Sequence, residues 1–342
     1  MATYVRPRRG TDPVKLVTVN VDRLTTPADY SLEKTGITQS LLGNWSCRVK
    51  FLLSLNRWET PEGSAKNTYY GTMCHKVCES IYQVGRKVMP TAMEIRAIVN
   101  AYISKNRKEL KVATGDKVEL AAGMVETVMG AYCRYYANDL KSLVMDKTES
   151  LFRVKTADSV GRPVTMIGRQ DGLFHWKGNP SSVWILEHKS MGTVSEDMLK
   201  KRLPIDKQCL YYVTAEEMET DYSIGGVLFN IIRRPMLKGT DDITTFLDRL
   251  EADINQRPDF YFIRYPVTYS MVDKRRFRIQ LAAKFTEVRD FLDGKLLTYR
   301  NEDCCESSSN GAPYVCSYMG ACANGDLRGY RQRKLLNPEL ES

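Results

Sequence analysis

The chain has 342 residues, with 50 Lys and Arg against 41 Asp and Glu for a net charge of +9, nine Cys and three His. Hydrophobic residues at 43% and charged residues at 27% are the proportions of a folded globular protein and exclude wholesale disorder or a fibrous repeat. No run of about 18 apolar residues occurs, so no membrane-spanning helix is expected.

The opening MATYVRPRRGTDP lacks the apolar stretch of a secretory signal, and a cytoplasmic location with reduced thiols is expected. The positive surplus fits an anionic partner, nucleic acid being the commonest, or a solvated basic surface.

In chain order, residues 1–30, with Arg6, Arg8, Arg9 and three prolines, read as an extended basic arm. Thr38 or Ser40 caps a helix over 41–55, whose apolar residues recur at three and four. The segment 58–67 reads as a loop. Further helices are predicted over 70–84, from Pro90 to about Lys105, and over 118–143.

The pattern then changes to strands over 149–155, over 163–176 with a break at Asp171-Gly172, and over 181–190. A helix from Pro204 to Glu217 and an apolar strand over 225–232 follow. Residues 260–270 can add a strand, 272–294 form a long basic amphipathic helix, and the last forty residues hold four Cys and a basic stretch.

This order predicts an α/β fold, a mixed central sheet flanked by helices. The expected organisation is the arm, one domain over 31–322 and a basic tail over 323–342. Within the domain, 31–145 is helical, 146–235 is the catalytic core and 236–322 is a C-terminal part with a Cys-rich end.

An acidic residue two before a lysine occurs at Glu109, Asp139, Glu187 and Asp293. Only Glu187 and Lys189 end an apolar strand, where the period of two sends both side chains to one side. Asp171, at the end of the preceding strand, can supply a second carboxylate, and Gly172 would permit a turn there. Two carboxylates on adjacent strands can hold a hard cation, and a lysine beside it can stabilise charge developing on a phosphate. The plainer reading makes Asp171 a hairpin end and Glu187 and Lys189 a surface ion pair.

The series GTMCH, GRQDGLF, WILEHKS and QCLYY resembles the PD-(D/E)xK nuclease superfamily, in its RecB-like branch with the CRISPR-associated adaptation nucleases and bacteriophage exonucleases. The resemblance covers residues 40–322 and implies a restriction-endonuclease-like core. It makes His75, Asp171 and Glu187 ligands of Mg²⁺ or Mn²⁺, with the His188 carbonyl as a fourth. It makes Lys189 the catalytic lysine, and has Gln208 and Tyr212, on one helical face, contact nucleic acid or buttress the site. Glu79, one turn beyond His75, can assist the metal. The side chains of His175 and His188 have no assigned role and are expected at the surface.

Cys74, Cys78, Cys133 and Cys209 fall at apolar helical positions and read as buried hydrophobes. Many members of the branch hold a 4Fe-4S cluster on one N-terminal and three C-terminal cysteines, which implies Cys47, Cys316 and Cys322 with Cys304 or Cys305. Pro313 and Arg48 depart from the usual pattern.

The function implied is a metal-dependent DNA nuclease, an exonuclease on single-stranded or end-containing DNA in a bacterial or phage-infected cell. Its partners would be DNA and other recombination proteins, with no membrane and an open oligomeric state. A non-catalytic nucleic-acid-binding accessory protein and a site-specific endonuclease are the alternatives.

Overall fold

The computed structural model describes residues 21–59, 65–114, 117–220, 222–236, 242–309, 312–325 and 327–340. Most of the expected basic arm therefore lies outside the described residues.

Thr38 caps the first helix, its hydroxyl accepting the Leu41 N–H at 3.1 Å. The helix predicted over 41–55 is nevertheless two, α1 (Gln39–Gly43) and α2 (Arg48–Leu55), separated by a 3₁₀ turn and an extended Cys47. The turn lets the Trp45 indole donate to Glu287 at 3.1 Å, far along the chain, so a tertiary contact overrides the local pattern.

After the short strand β1 (Trp58–Glu59) come α3 (Ala65–Ile81), α4 (Ala92–Thr114), α5 (Val118–Tyr135) and α6 (Asp139–Ser142). The helix expected to stop near Lys105 continues past a kink at Asn106, whose amide donates to the Tyr102 carbonyl at 2.8 Å.

The central sheet has five strands in the order β2 (Leu143–Ala157), β3 (Pro163–Trp176), β4 (Asn179–Met191), β5 (Ile224–Arg233) and β6 (Phe262–Val267). β2, β3 and β4 are antiparallel neighbours. A crossover through α7 (Glu196–Arg202) and α8 (Lys207–Glu219) makes β5 parallel to β4, and β6 returns antiparallel. The fold is thus α/β, a mixed central sheet flanked by helices.

Both faces of the sheet are covered, which is why its central strands are nearly continuously apolar. Phe174, Leu186 and Leu228 pack under α3 and α5, joined there by α9 (Ile243–Gln256). Leu173, Ile185 and Val227 pack under α8, with Phe277 of α11 (Met271–Leu292) at their margin. The short α10 (Pro258–Tyr261) leads into β6.

The break predicted at Asp171-Gly172 is absent, and β3 runs through it. Gly172 serves packing instead, since a Cβ there would lie 2.6 Å from the Met145 methyl and 3.2 Å from the Lys147 carbonyl.

The final residues form a hairpin of β7 (Glu306–Ser309) and β8 (Ala312–Val315), then α12 (Met319–Asn324) and β9 (Arg331–Gln332). β9 pairs antiparallel with β1, so part of the expected tail is built into the structure. Among the described residues no helix is long and apolar enough to cross a membrane.

Candidate active site

Registered pairs between β3 and β4 run from Trp176↔Asn179 to Gly172↔Leu186 and stop there. Beyond that point β3 pairs only with β2 and β4 only with β5. Asp171 and Glu187 are the first residues past the parting of the strands.

The His188 backbone N–H donates to Asp171 Oδ2 at 2.5 Å, and His75 of α3 places Nδ1 3.6 Å from Asp171 Oδ1. Gly71, one turn before His75, lets α3 lie close to the end of β4: a Cβ on it would stand 3.5 Å from Ser190 Cβ. Lys189 Nζ forms a short ion pair with Glu187 Oε1. Gln208, in the first turn of α8, donates to the same Glu187 oxygen at 2.8 Å and to the Tyr212 hydroxyl at 3.2 Å. Asp206 caps α8 by accepting the Gln208 and Cys209 N–H groups, and so sets where Gln208 begins.

All six predicted side chains, His75, Asp171, Glu187, Lys189, Gln208 and Tyr212, therefore meet in one place.

Glu187 is only 2% exposed. Burial pushes its carboxyl up to about 7, with Asp171 adding to the rise against Lys189 and His75. Burial acts on Asp171 in the same direction but is outweighed by His75 and Lys189, which hold it below the usual carboxylate range. The mirror effects raise the pKa of both Lys189 and His75: burial opposes each charge, and the carboxylates more than offset it.

The His188 side chain corrects the expectation of a surface position, for the residue is 3% exposed. Its Nδ1 lies 2.8 Å from the Asn230 amide nitrogen, and Asn230 Oδ1 accepts from Arg264 Nε at 2.8 Å. With Asn230 so oriented, His188 Nδ1 is an acceptor and the ring proton sits on Nε2. Burial drives this imidazole down to about 3, so it is neutral. Arg264 also donates to Asp139, Tyr82 and Tyr132, and the Tyr82 ring stacks on His188 at 5.3 Å. His175 is half-buried and meets Asp146 at 3.0 Å, away from the site.

Sequence reasoning missed Glu149, Asn230 and Arg264. Glu149 stands opposite Asp171 on β2 with φ +48°, pairs with Arg169 at 3.1 Å, and is pushed up to about 6 by burial and by Asp171. Nothing in ESLFRVK marks it. Asn230, a lone amide in the apolar run GGVLFNII, did carry a signal, because a buried amide needs partners. Glu79 pairs with Lys76 at 2.6 Å, and its charge adds to the rise at Glu149.

Among the described residues, no group of three His, Cys, Asp or Glu side chains stands in position to hold a metal ion. Lys189 and Gln208 both bond Glu187 Oε1. The donor set still suits a hard divalent cation: two carboxylates, one deeply buried beside the other, and an imidazole.

The five cysteines form a second assembly. Cys47, Cys304, Cys305, Cys316 and Cys322 line one cavity of about 210 Å³ between the start of α2 and the C-terminal segment. The Cys316 N–H donates to the Cys305 carbonyl at 2.8 Å, and Cys304 Sγ lies 3.6 Å from the Ser46 carbonyl. All nine cysteines are free thiols, and Cys74, Cys78, Cys133 and Cys209 are buried in helices.

No family model matches the chain, and no curated protein matches it in sequence. Among solved structures it is similar to a protein from Eubacterium rectale described as "Putative exonuclease", at 11% identity and a TM-score of 0.48, over 78% of this chain and 86% of that one. It is also similar to a protein described as SSO0001, at 12% identity and a TM-score of 0.27, over 66% and 87%. At these scores neither likeness bears on activity.

Proposed function

We propose that the protein is a metal-dependent deoxyribonuclease of the PD-(D/E)xK type, acting as an exonuclease on single-stranded or end-containing DNA. The observation that carries this reading is the meeting of Asp171, Glu187 and Lys189 where β3 and β4 part, with His75 and Gln208 against them.

His75, Asp171, Glu187 and the His188 carbonyl would hold Mg²⁺ or Mn²⁺. Such an ion polarises a phosphoryl oxygen and makes its bound water more acidic. The protein's own contribution is position and charge. The His188 N–H fixes one Asp171 oxygen, Gln208 holds Glu187, and Lys189 brings a cation to where negative charge develops on the phosphate.

The cysteine cavity supports a 4Fe-4S cluster as a structural clip. Such a cluster takes one thiolate per iron, so its ligands line a cavity instead of converging on one point. Cys47, Cys316 and Cys322 with Cys304 or Cys305 would hold it.

End-labelled linear and circular DNA, single- and double-stranded, incubated with Mg²⁺, Mn²⁺ or EDTA tests the assignment. Cleavage of linear DNA that depends on the metal, lost in Asp171→Ala and Lys189→Ala while DNA binding is kept, is the expected result. Cleaved circles would mark an endonuclease. No cleavage with any metal, or full activity in either variant, would overturn the reading and leave a nucleic-acid-binding accessory protein.

A further inference from the structure

Beside α8, on a different flank from its contact with Glu187, lies a groove of about 440 Å³ walled by the loop before α8, by α11 and by the turn after α1. Its walls are largely apolar, including Ile205, Tyr211 and Phe277. Ile205 is 72% exposed at the rim, a large aliphatic side chain facing water.

Three cations, Lys207, Arg276 and Lys284, line the same groove against one acid, Asp273. Asp273 is already engaged, since the Ser270 hydroxyl donates to it at 2.5 Å and Arg276 lies 3.9 Å away. Among the described residues neither Lys207 nor Lys284 forms a close ion pair; the carboxylate that acts on Lys284 is Glu287, one turn along α11, which already accepts the Trp45 indole N–H. Burial and the Lys207 charge lower the Lys284 pKa and outweigh Glu287, which raises it.

A groove residue and an active-site residue are neighbours in the chain. Lys207 and Gln208 are consecutive on α8 and diverge by about 100°. Gln208 turns to Glu187 and Lys207 turns to the groove.

We infer that this groove holds a single strand of DNA running to or from the carboxylate site, with phosphates on Lys207, Arg276 and Lys284 and bases against Ile205 and Phe277. The strand's destination rests on the nuclease reading above. Cations beside apolar and aromatic walls match a single strand, which offers charge and bare base faces together. A duplex keeps its base faces stacked inside and would leave the apolar wall unused. The chain's own residues 1–20 do not suit the groove, because they carry Arg6, Arg8, Arg9 and Lys15 against Asp12.

The test is fluorescence anisotropy of the full chain in EDTA, with labelled dT12 and a 12-base-pair blunt duplex as probes, for wild type, Lys207→Glu/Lys284→Glu and Lys207→Gln/Lys284→Gln. The inference expects tighter wild-type binding of dT12 than of the duplex. It expects a loss of about tenfold or more in dT12 affinity in the Glu variant and a smaller loss in the Gln variant. The slope of log affinity against log salt should become shallower by about 1.4, from two phosphate contacts at about 0.7 each.

Unchanged dT12 binding in both folded variants, an equal loss on the duplex, or tighter binding of a polyglutamate peptide than of dT12 would overturn the inference. Because the binding is read without metal, the two readings fail separately. A wild type that cleaves nothing while the Glu variant loses dT12 removes the nuclease assignment and keeps the groove. A wild type that cleaves while the variant keeps dT12 does the reverse.

Discussion

His188 reaches Asp171 through its backbone and Asn230 through its ring, at 2.5 and 2.8 Å, and so ties the candidate metal site to the buried Arg264 cluster. Its ring also meets the His75 ring edge-to-face at 6.0 Å. One residue thereby orients two of the proposed ligands. Asn230→Ala should leave the fold intact yet lower Mn²⁺ affinity and cleavage by about 10- to 100-fold, as loss of a ligand-orienting partner does. Calorimetry with Mn²⁺ beside a circular dichroism melt checks this. Wild-type metal affinity in the variant would mean the ring positions nothing.

Gln208 and Tyr212 should differ in weight. Gln208→Ala removes a direct bond to Glu187 and should cost about tenfold or more in cleavage. Tyr212→Phe removes only an oxygen that Gln208 also contacts, and should cost a few-fold at most. Single-turnover rates on one linear substrate compare the two, and a larger effect in Tyr212→Phe would reverse that order.

The turn between β2 and β3 gives a pH prediction that is independent of the site. Asp158 accepts the Val160 and Arg162 N–H groups at 3.1 and 2.9 Å and Arg162 Nε at 2.7 Å. Burial opposes its ionisation, but these donors outweigh it and hold the carboxyl below its usual value. A lowered folded pKa means that the stabilisation is complete above the unfolded value of about 4 and disappears as pH falls through the folded one. Asp158→Asn should lose on the order of 2 kcal/mol near pH 7 and show a flatter acid limb in denaturant titrations. A variant as stable as wild type at pH 7 would remove the argument.

The cysteine cavity predicts about four iron and four sulfide per chain after anaerobic purification, with a broad visible absorption band. Cys47→Ser and Cys316→Ser should lose both. Cys304→Ser and Cys305→Ser should separate, one keeping the band and the other losing it. An iron-free, colourless wild type would remove the cluster.

Much of the fold could be read in the sequence where local pattern and tertiary demand agree. The apolar runs of β4 and β5 follow from a sheet covered on both faces, and Glu187 and Lys189 share a side by the period of two. The sequence misled where distant contacts override local signals. Asp171-Gly172 has the composition of a turn, yet Gly172 is small because Met145 crosses over it. The helix over 41–55 breaks because Trp45 reaches Glu287. His188 was expected at the surface because its partner Asn230 lies 42 residues away. Glu149 owes its place to strand register, which one sequence does not reveal.

The pairing of β1 with β9 also shapes how the chain must assemble. Arg331 Nε donates to Glu59 Oε1 at 2.6 Å across 272 residues. A closure that long returns no contact energy until most of the chain is already ordered, so this small sheet belongs among the last elements to form and the first to open. Any cofactor held between Cys47 and the C-terminal cysteines would therefore be inserted late, into a chain whose central sheet is already built.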